Sequence, residues 1–177
     1  RDCRSTGLYS RAPGQLRRLL VLDAHAEFEA LLDDFLVRLA KRKFQVFLIS
    51  GNHDSPERMA FGGRLMEGSG IHLAPVYHSE VGPLTLTDQY GPVNLYLLPF
   101  VKPVHVRRWF PEREIVSYTD ALAVAIEAME VDPGARNVLV THQLSPARPG
   151  ATRRRSRWGG QTMWMVSVFA PFDYVAL

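Results

Sequence analysis

Residues 44–54, FQVFLISGNHD, run from an apolar segment straight into a polar turn, and they decide the fold. The first six residues have the length and composition of a buried strand. Gly51 lets the backbone turn sharply. Asn52, His53 and Asp54 then place an amide oxygen, an imidazole and a carboxylate just past the strand end. Open α/β sheets bind ligands at that edge, so the stretch predicts a polar site there. An ordinary polar turn is the alternative.

A second β-rich run, Asn137–Val140, leads into Thr141 and His142 in the same way. His142 therefore follows a second strand end, as His53 follows the first. Asn52 can offer a neutral oxygen to a hard cation. An imidazole can bind a metal or donate a proton near neutral pH. Two such strand ends predict a metallohydrolase sheet, although a satisfied loop histidine is the alternative for His142.

The composition bounds the class of protein. With 177 residues, 46% hydrophobic and 22% charged, the chain predicts one soluble globular domain. The single cysteine, Cys3, excludes an internal disulfide framework and fits a reducing cytoplasm. No apolar run approaches the ~20 residues of a membrane helix, and no signal peptide is recognisable. A net charge of +3 permits a nucleic-acid partner without requiring one.

Periodicity predicts helices that alternate with strands, which is typical of an α/β layered sheet. Apolar residues recur at helical spacing from Ala24 to about Lys43. A second helix is expected from the Ser55–Pro56 cap to about Met66, and a third from a Thr119–Asp120 cap. Further elements are a short helix at 103–109 and strands at 71–73, 84–86, 93–98, 138–140 and 172–177.

The GNHD and THQ motifs, with their surroundings, resemble those of the calcineurin-like metallophosphoesterases, and within that family those of its DNA nuclease subunits. The run SGNHDSPER is the most specific part of the resemblance. It implies an α/β fold, a layered metallophosphoesterase-type β-sandwich flanked by helices, here incomplete. Residues 1–177 would form one partial nuclease domain, with residues 1–23 and 152–166 doubtful. The similar stretches are residues 31–36, 50–63, 91–106, 137–143 and 167–177.

The resemblance also implies roles for individual residues. Asn52 and His142 would be ligands in a site for two divalent metal ions, expected to be Mn²⁺. His53 would be the catalytic acid or charge stabiliser, and Asp54 would orient His53 by a hydrogen bond. Such a metal pair activates a water and clamps the phosphate.

Three of the family's five motif blocks are missing from this sequence: D-x-H, G-D-x-x-D and G-H-x-H. Asp23-Ala24-His25 has the spacing of the first block but not its context, and we interpret it as coincidence. Asn52 and His142 alone should bind a divalent metal weakly. The chain is therefore expected to be truncated and inactive by itself.

The implied function is hydrolysis of phosphodiesters at double-stranded DNA ends and hairpins, in DNA replication, recombination and repair. The implied partners are an SMC-like ATPase subunit and double-stranded DNA, with a homodimer inside a heterotetramer. Two alternatives remain. One is another metallophosphoesterase activity, on monoesters or cyclic nucleotides. The other is a non-catalytic DNA-binding or docking remnant of the fold.

Residues 152–166 carry four arginines and two tryptophans, a composition typical of a DNA-binding patch. A shifted reading frame is the favoured interpretation. Met and Trp have single codons, so Met163-Trp164-Met165 is encoded by ATG TGG ATG. One base out of frame, these codons can spell Asn-Val-Asp. Extended back to Trp158, the shifted frame permits V-G-G-x-D-N-V-D, which resembles the family here, and the normal frame resumes at Ser167.

Overall fold

The computed structural model describes residues 29–143 and 167–177. The predictions for residues 1–23 and 152–166 lie outside these ranges, as does Asp23-Ala24-His25. The described chain contains both helices and strands. Their bounds are α1 Glu29–Lys41, β1 Val46–Ile49, α2 Pro56–Ala60, α3 Gly63–Glu67, β2 Ile71–Ala74, β3 Leu84–Asp88, β4 Gly91–Leu98, α4 Pro103–Arg107, α5 Tyr118–Glu127, β5 Arg136–Thr141 and β6 Tyr174–Ala176. They do not alternate one by one as predicted, since β2, β3 and β4 follow one another directly.

The strands form two sheets. In the first, β1 and β2 are parallel, with Val46 opposite Ile71. In the second, the order is β3-β4-β5-β6, with β3 antiparallel to β4 and the other pairs parallel. The C-terminal ends of β4 and β5 therefore meet at one edge, where Leu98 pairs with Thr141.

The two sheets pack face to face between helices. Alternate residues of a strand point to opposite faces, so each strand serves two layers. Phe47 and Ile49 of β1 pack with Leu95, Leu97 and Val140 of the larger sheet.

The outer faces of both sheets are covered by helices. Val46 and Leu48 of β1, with Ile71, pack against side chains of α1. Tyr96 and Leu98 of β4 pack against α4 and α5. The result is a helix–sheet–sheet–helix arrangement, and the predicted layered α/β sandwich flanked by helices is confirmed.

The single helix predicted from Ser55 to about Met66 is wrong. Two short helices, α2 and α3, replace it. Gly62 between them has φ +77°, a left-handed conformation that ends a helix and that glycine adopts without a Cβ penalty. Ser55 occupies the N-cap position, but its side chain makes no capping hydrogen bond.

The start of α5 also differs from the prediction. Ser117, not Thr119, is the N-cap, and its Oγ accepts a hydrogen bond from the Asp120 backbone N–H at 3.1 Å. The Asp120 carboxylate accepts in return from the Ser117 backbone N–H at 2.7 Å, which completes a capping box. The pKa of Asp120 is held below its ordinary value, chiefly by the hydrogen bond from the Ser117 backbone N–H.

Within the described ranges, none of the helices has both the length and the apolar character needed to cross a bilayer.

Candidate functional site

The turn that follows β1 is anchored on both sides through Ser50, which is 1% exposed. The Ser50 hydroxyl donates to the Pro75 carbonyl at 2.6 Å, just past the end of β2. The Ser50 carbonyl accepts from the Phe100 N–H at 3.0 Å, just past the end of β4. The strand end that carries the GNHD motif is therefore fixed to both sheets.

The turn itself is closed by a carboxylate. The Gly51 backbone N–H donates to Asp54 Oδ2 at 2.6 Å. Asn52 and His53 are exposed between these two residues, whereas Asp54 is half-buried. Through this hydrogen bond, Asp54 stabilises the turn that presents Asn52 and His53. Its action on the His53 ring stays a prediction.

The second predicted strand end is fixed to the same place. Thr141 at the end of β5 is fully buried, His142 is partly exposed, and Gln143 is 8% exposed. The Gln143 side-chain amide donates to the Pro99 carbonyl at 3.2 Å. That carbonyl and the Phe100 N–H belong to one peptide group, so both site-bearing segments are attached to the same peptide group beyond β4.

The two predicted metal ligands lie side by side although 90 residues separate them in the chain. Asn52 Oδ1 and His142 Nε2 are 3.1 Å apart, a hydrogen-bond distance. In this arrangement His142 Nε2 carries the proton that Asn52 accepts. To bind a cation, His142 would instead present its Nε2 lone pair, with the proton on Nδ1.

The same separation suits two ligands of one cation. Neighbouring ligands of an octahedral ion, each ~2.1 Å from it, lie about 3 Å apart. Asn52 and His142 thus fit as part of a divalent-metal site. In residues 29–143 and 167–177, no three His, Cys, Asp or Glu side chains are grouped so that they could hold a metal ion. A two-metal centre needs several more ligands than Asn52 and His142 supply.

Two other histidines of the described chain, His72 and His105, contact neighbouring groups away from the turn's motif residues. His72 stacks on Phe47 with ring centroids 5.1 Å apart, and its Nε2 lies 3.0 Å from Gln45 Oε1. His105 Nδ1 accepts from the Lys102 backbone N–H at 3.3 Å. Burial lowers the pKa of His105, and the charge of Lys102 lowers it further.

Sequence reasoning missed the residues that hold the site in place, namely Ser50, Gln143 and the Pro99–Phe100 segment. A usable signal existed for two of them, because Ser50 and Gln143 are polar residues directly beside predicted buried strands. The part played by Pro99 has no sequence signal, since it depends on a backbone carbonyl.

No protein-family model matches the chain. Comparison with curated proteins finds the SbcD subunit of the nuclease SbcCD from Staphylococcus epidermidis, which is 27% identical over 138 residues. The chain is similar to this SbcD subunit. The aligned part covers 76% of the chain and 36% of the Staphylococcus protein. The chain therefore spans about a third of the length of the curated relative that it matches.

The similarity to SbcD agrees with the resemblance that the GNHD and THQ motifs carry. Both motifs lie in the described part of the chain, at the edge where β1, β4 and β5 end. The Staphylococcus protein is named as a subunit of a nuclease.

Proposed function

We propose that this chain is part of a metal-dependent DNA nuclease subunit of the SbcCD type. The proposed reaction is hydrolysis of phosphodiesters at double-stranded DNA ends and hairpins, in DNA replication, recombination and repair. The observation that supports it most is the 3.1 Å approach of Asn52 Oδ1 to His142 Nε2. The similarity to a subunit of a nuclease supports a nucleic acid as the substrate.

The proposed roles are those that the family resemblance implies, and the geometry of the turn supports them. Asn52 and His142 would hold a divalent cation, proposed to be Mn²⁺, as part of a two-metal site. When bound, the metals would supply positive charge for the phosphate and activate a water. His53, exposed at the tip of the same turn, would donate a proton to the leaving oxygen or stabilise charge on the phosphate. Asp54 would keep the turn in the conformation that presents His53.

The proposed partners are double-stranded DNA and an SbcC-like SMC ATPase subunit, with two copies of the nuclease subunit in a heterotetramer. Residues 29–143 and 167–177 offer two of the several ligands that such a site requires. We therefore expect weak metal binding by the chain itself, with a dissociation constant on the order of millimolar.

The test is Mn²⁺ binding at these two residues. In the NMR spectrum, substoichiometric Mn²⁺ should broaden the signals of the Asn52 side-chain amide and the His142 ring before others. His142→Leu should abolish the selective broadening. His72→Gln is the matched control, because it removes a histidine of β2 that stacks on Phe47 and is not a proposed ligand, and it should leave the effect intact.

Activity on a labelled DNA hairpin with Mn²⁺ extends the test and uses a further variant, His53→Ala. Any cleavage should be lost in His53→Ala and in EDTA. If Mn²⁺ broadens no signal from Asn52 or His142, the metal proposal is wrong. The alternative, a non-catalytic DNA-binding remnant of the fold, would then replace it.

A further inference from the structure

The segment that follows β4 carries an exposed, positively charged surface. Residues 102–109, KPVHVRRW, contain three Lys or Arg residues and no carboxylate. Arg107 and Arg108 are exposed, and neither forms an ion pair within the described part of the chain. The next arginine, Arg113, differs because its guanidinium is held by Glu127 at 2.6 Å. Arg107 and Arg108 therefore remain available to bind an external anion.

An aromatic side chain, Trp109, directly follows these cations in the chain and forms a pair with His78. Trp109 is 43% exposed, and its ring contacts the exposed His78 ring edge-on, with centroids 5.9 Å apart and planes at 67°. The residues next to the pair in sequence are firmly packed, since Tyr77 is 6% exposed and Val106 is fully buried in the same core cluster. The pair is thus an exposed aromatic surface on a rigid base.

Both segments of this surface arise at the edge that carries the candidate site. His78 lies three residues after Pro75, whose carbonyl accepts the Ser50 hydroxyl. The segment with Trp109 begins after Phe100, whose N–H donates to the Ser50 carbonyl. Ser50 directly precedes the GNHD turn, so the two segments that carry the aromatic and basic residues leave the same sheet edge as Asn52 and His142.

We propose that the Trp109–His78 pair, with Arg107 and Arg108, is a stacking platform for single-stranded nucleic acid. The inference rests on the proposed function, because it names the path of the strand beside that site. Single-strand binding surfaces combine aromatic rings that stack on bases with cations that follow the backbone. A guanidinium also pairs with phosphate oxygens in a bidentate way.

The first test is binding of a fluorescein-labelled oligothymidine of about 15 nucleotides, followed by anisotropy in EDTA at low salt. Trp109→Leu should weaken binding roughly tenfold or more, since one stacked base contributes that much. Trp109→Phe should restore most of the affinity. The double variant Arg107→Ala/Arg108→Ala should reduce the steepness of the negative slope of log K against log salt by about 1.4, because two phosphate contacts are lost.

Matched controls lie at the opposite edge of the sheets. Tyr90→Leu removes an exposed aromatic side chain at the β3–β4 turn, and Arg42→Ala removes an exposed arginine after α1. Both should leave the affinity unchanged. An abasic strand of the same length should bind more weakly than oligothymidine. Photocrosslinking of a strand that contains 5-iodouracil should place the adduct on the peptide with Trp109 or His78.

Three results would overturn the platform: no binding by the unaltered chain at low salt, equal affinity for the abasic strand, or a folded Trp109→Leu variant that binds like the parent. These results differ from failure of the proposed function. Because binding is measured without metal, it can depend on Trp109 while Mn²⁺ leaves His142 untouched. Conversely, Mn²⁺ can bind at His142 while Trp109→Leu changes nothing.

Discussion

Buried polar side chains beside the turn decide how closely Asn52 and His142 approach. A buried polar group is costly unless it is hydrogen-bonded. Ser50 and Gln143 satisfy this requirement by bonding to backbone groups that follow neighbouring strands. Their hydrogen bonds thus do two things: they stabilise the strand ends, and they fix the positions of the two side chains proposed to bind metal.

Gln143→Leu is expected to destabilise the fold by about 1 kcal/mol, because it removes the hydrogen bond to the Pro99 carbonyl and leaves that buried acceptor unpaired. The ring signals of His142 should shift in the same variant, since its neighbour no longer holds the segment. Urea unfolding and NMR measure the two effects. Gln89→Leu, at an exposed position, is the control. An unchanged His142 spectrum would show that Gln143 does not position the ring.

The Asp88–Arg136 ion pair predicts how stability depends on pH. The Arg136 guanidinium, followed by the Tyr90 backbone N–H, holds the pKa of Asp88 below its ordinary value. A carboxylate with a depressed pKa contributes stability above its unfolded pKa, and that contribution is lost as the pH falls through the folded pKa. Acid should therefore loosen the β3–β4 hairpin, where Arg136 also donates to the Gly91 carbonyl.

An NMR titration of the Asp88 carboxyl group measures this effect. The midpoint should lie below the ordinary aspartate value and rise in Arg136→Met. The unfolding free energy of the variant should also vary less with pH in the acid range. A midpoint that is the same with and without Arg136 would contradict the assignment.

At the scale of elements, strands were easier to predict than helix boundaries. The strand Val46–Ile49 was recognisable because a continuous apolar run meets a turn. The break between α2 and α3 was not, because the surrounding residues favour a helix and only the pair Gly62–Gly63 interrupts it. The cap of α5 was misplaced by two residues, since Ser117 and Thr119 are both good N-cap residues by propensity.

Gly62→Ala is expected to destabilise the chain by about 1 kcal/mol. Space is not the reason, because an added Cβ would lie 3.7 Å from Met66 Cε, an ordinary contact. The cost comes from forcing an L-residue to adopt φ +77°. Gly82→Ala is the matched control, since an added Cβ there meets nothing within 4 Å and φ is not positive. Thermal unfolding compares the two, and equal melting temperatures would refute the prediction.

At the scale of the molecule, the two sheets depend on a shared layer of side chains. Leu95 and Phe47 belong to different sheets but to one buried cluster. Removing a side chain from this layer leaves a cavity that neither sheet can close alone. Damage there should therefore weaken the whole sandwich, including the edge that carries the site.

Leu95→Ala is expected to destabilise the chain by about 2–5 kcal/mol, because Leu95 is 2% exposed and its loss creates a buried cavity. Leu65→Ala serves as the control, since Leu65 is 83% exposed on α3. Denaturant unfolding of both variants tests the contrast. A Leu95→Ala variant as stable as Leu65→Ala would mean that the layer between the sheets contributes little.

The sequence predicted the layered class of fold but not which strands pair. Pairing of β1 with β2, and not with β4, depends on contacts between distant segments that no local pattern encodes. For the candidate site, the identities of Asn52 and His142 came from local motifs at strand ends. Their approach to 3.1 Å came from tertiary structure, since both segments bond to groups beyond β4.

The attachment of both segments to the peptide group between Pro99 and Phe100 has a dynamic consequence. Ser50 bonds to its N–H and Gln143 to its carbonyl, so a displacement of the end of β4 carries both segments in the same direction. In a motion of this kind Asn52 and His142 move together, and the distance between them stays nearly constant. The sheet edge can therefore fluctuate as a unit without changing the relative positions of Asn52 Oδ1 and His142 Nε2.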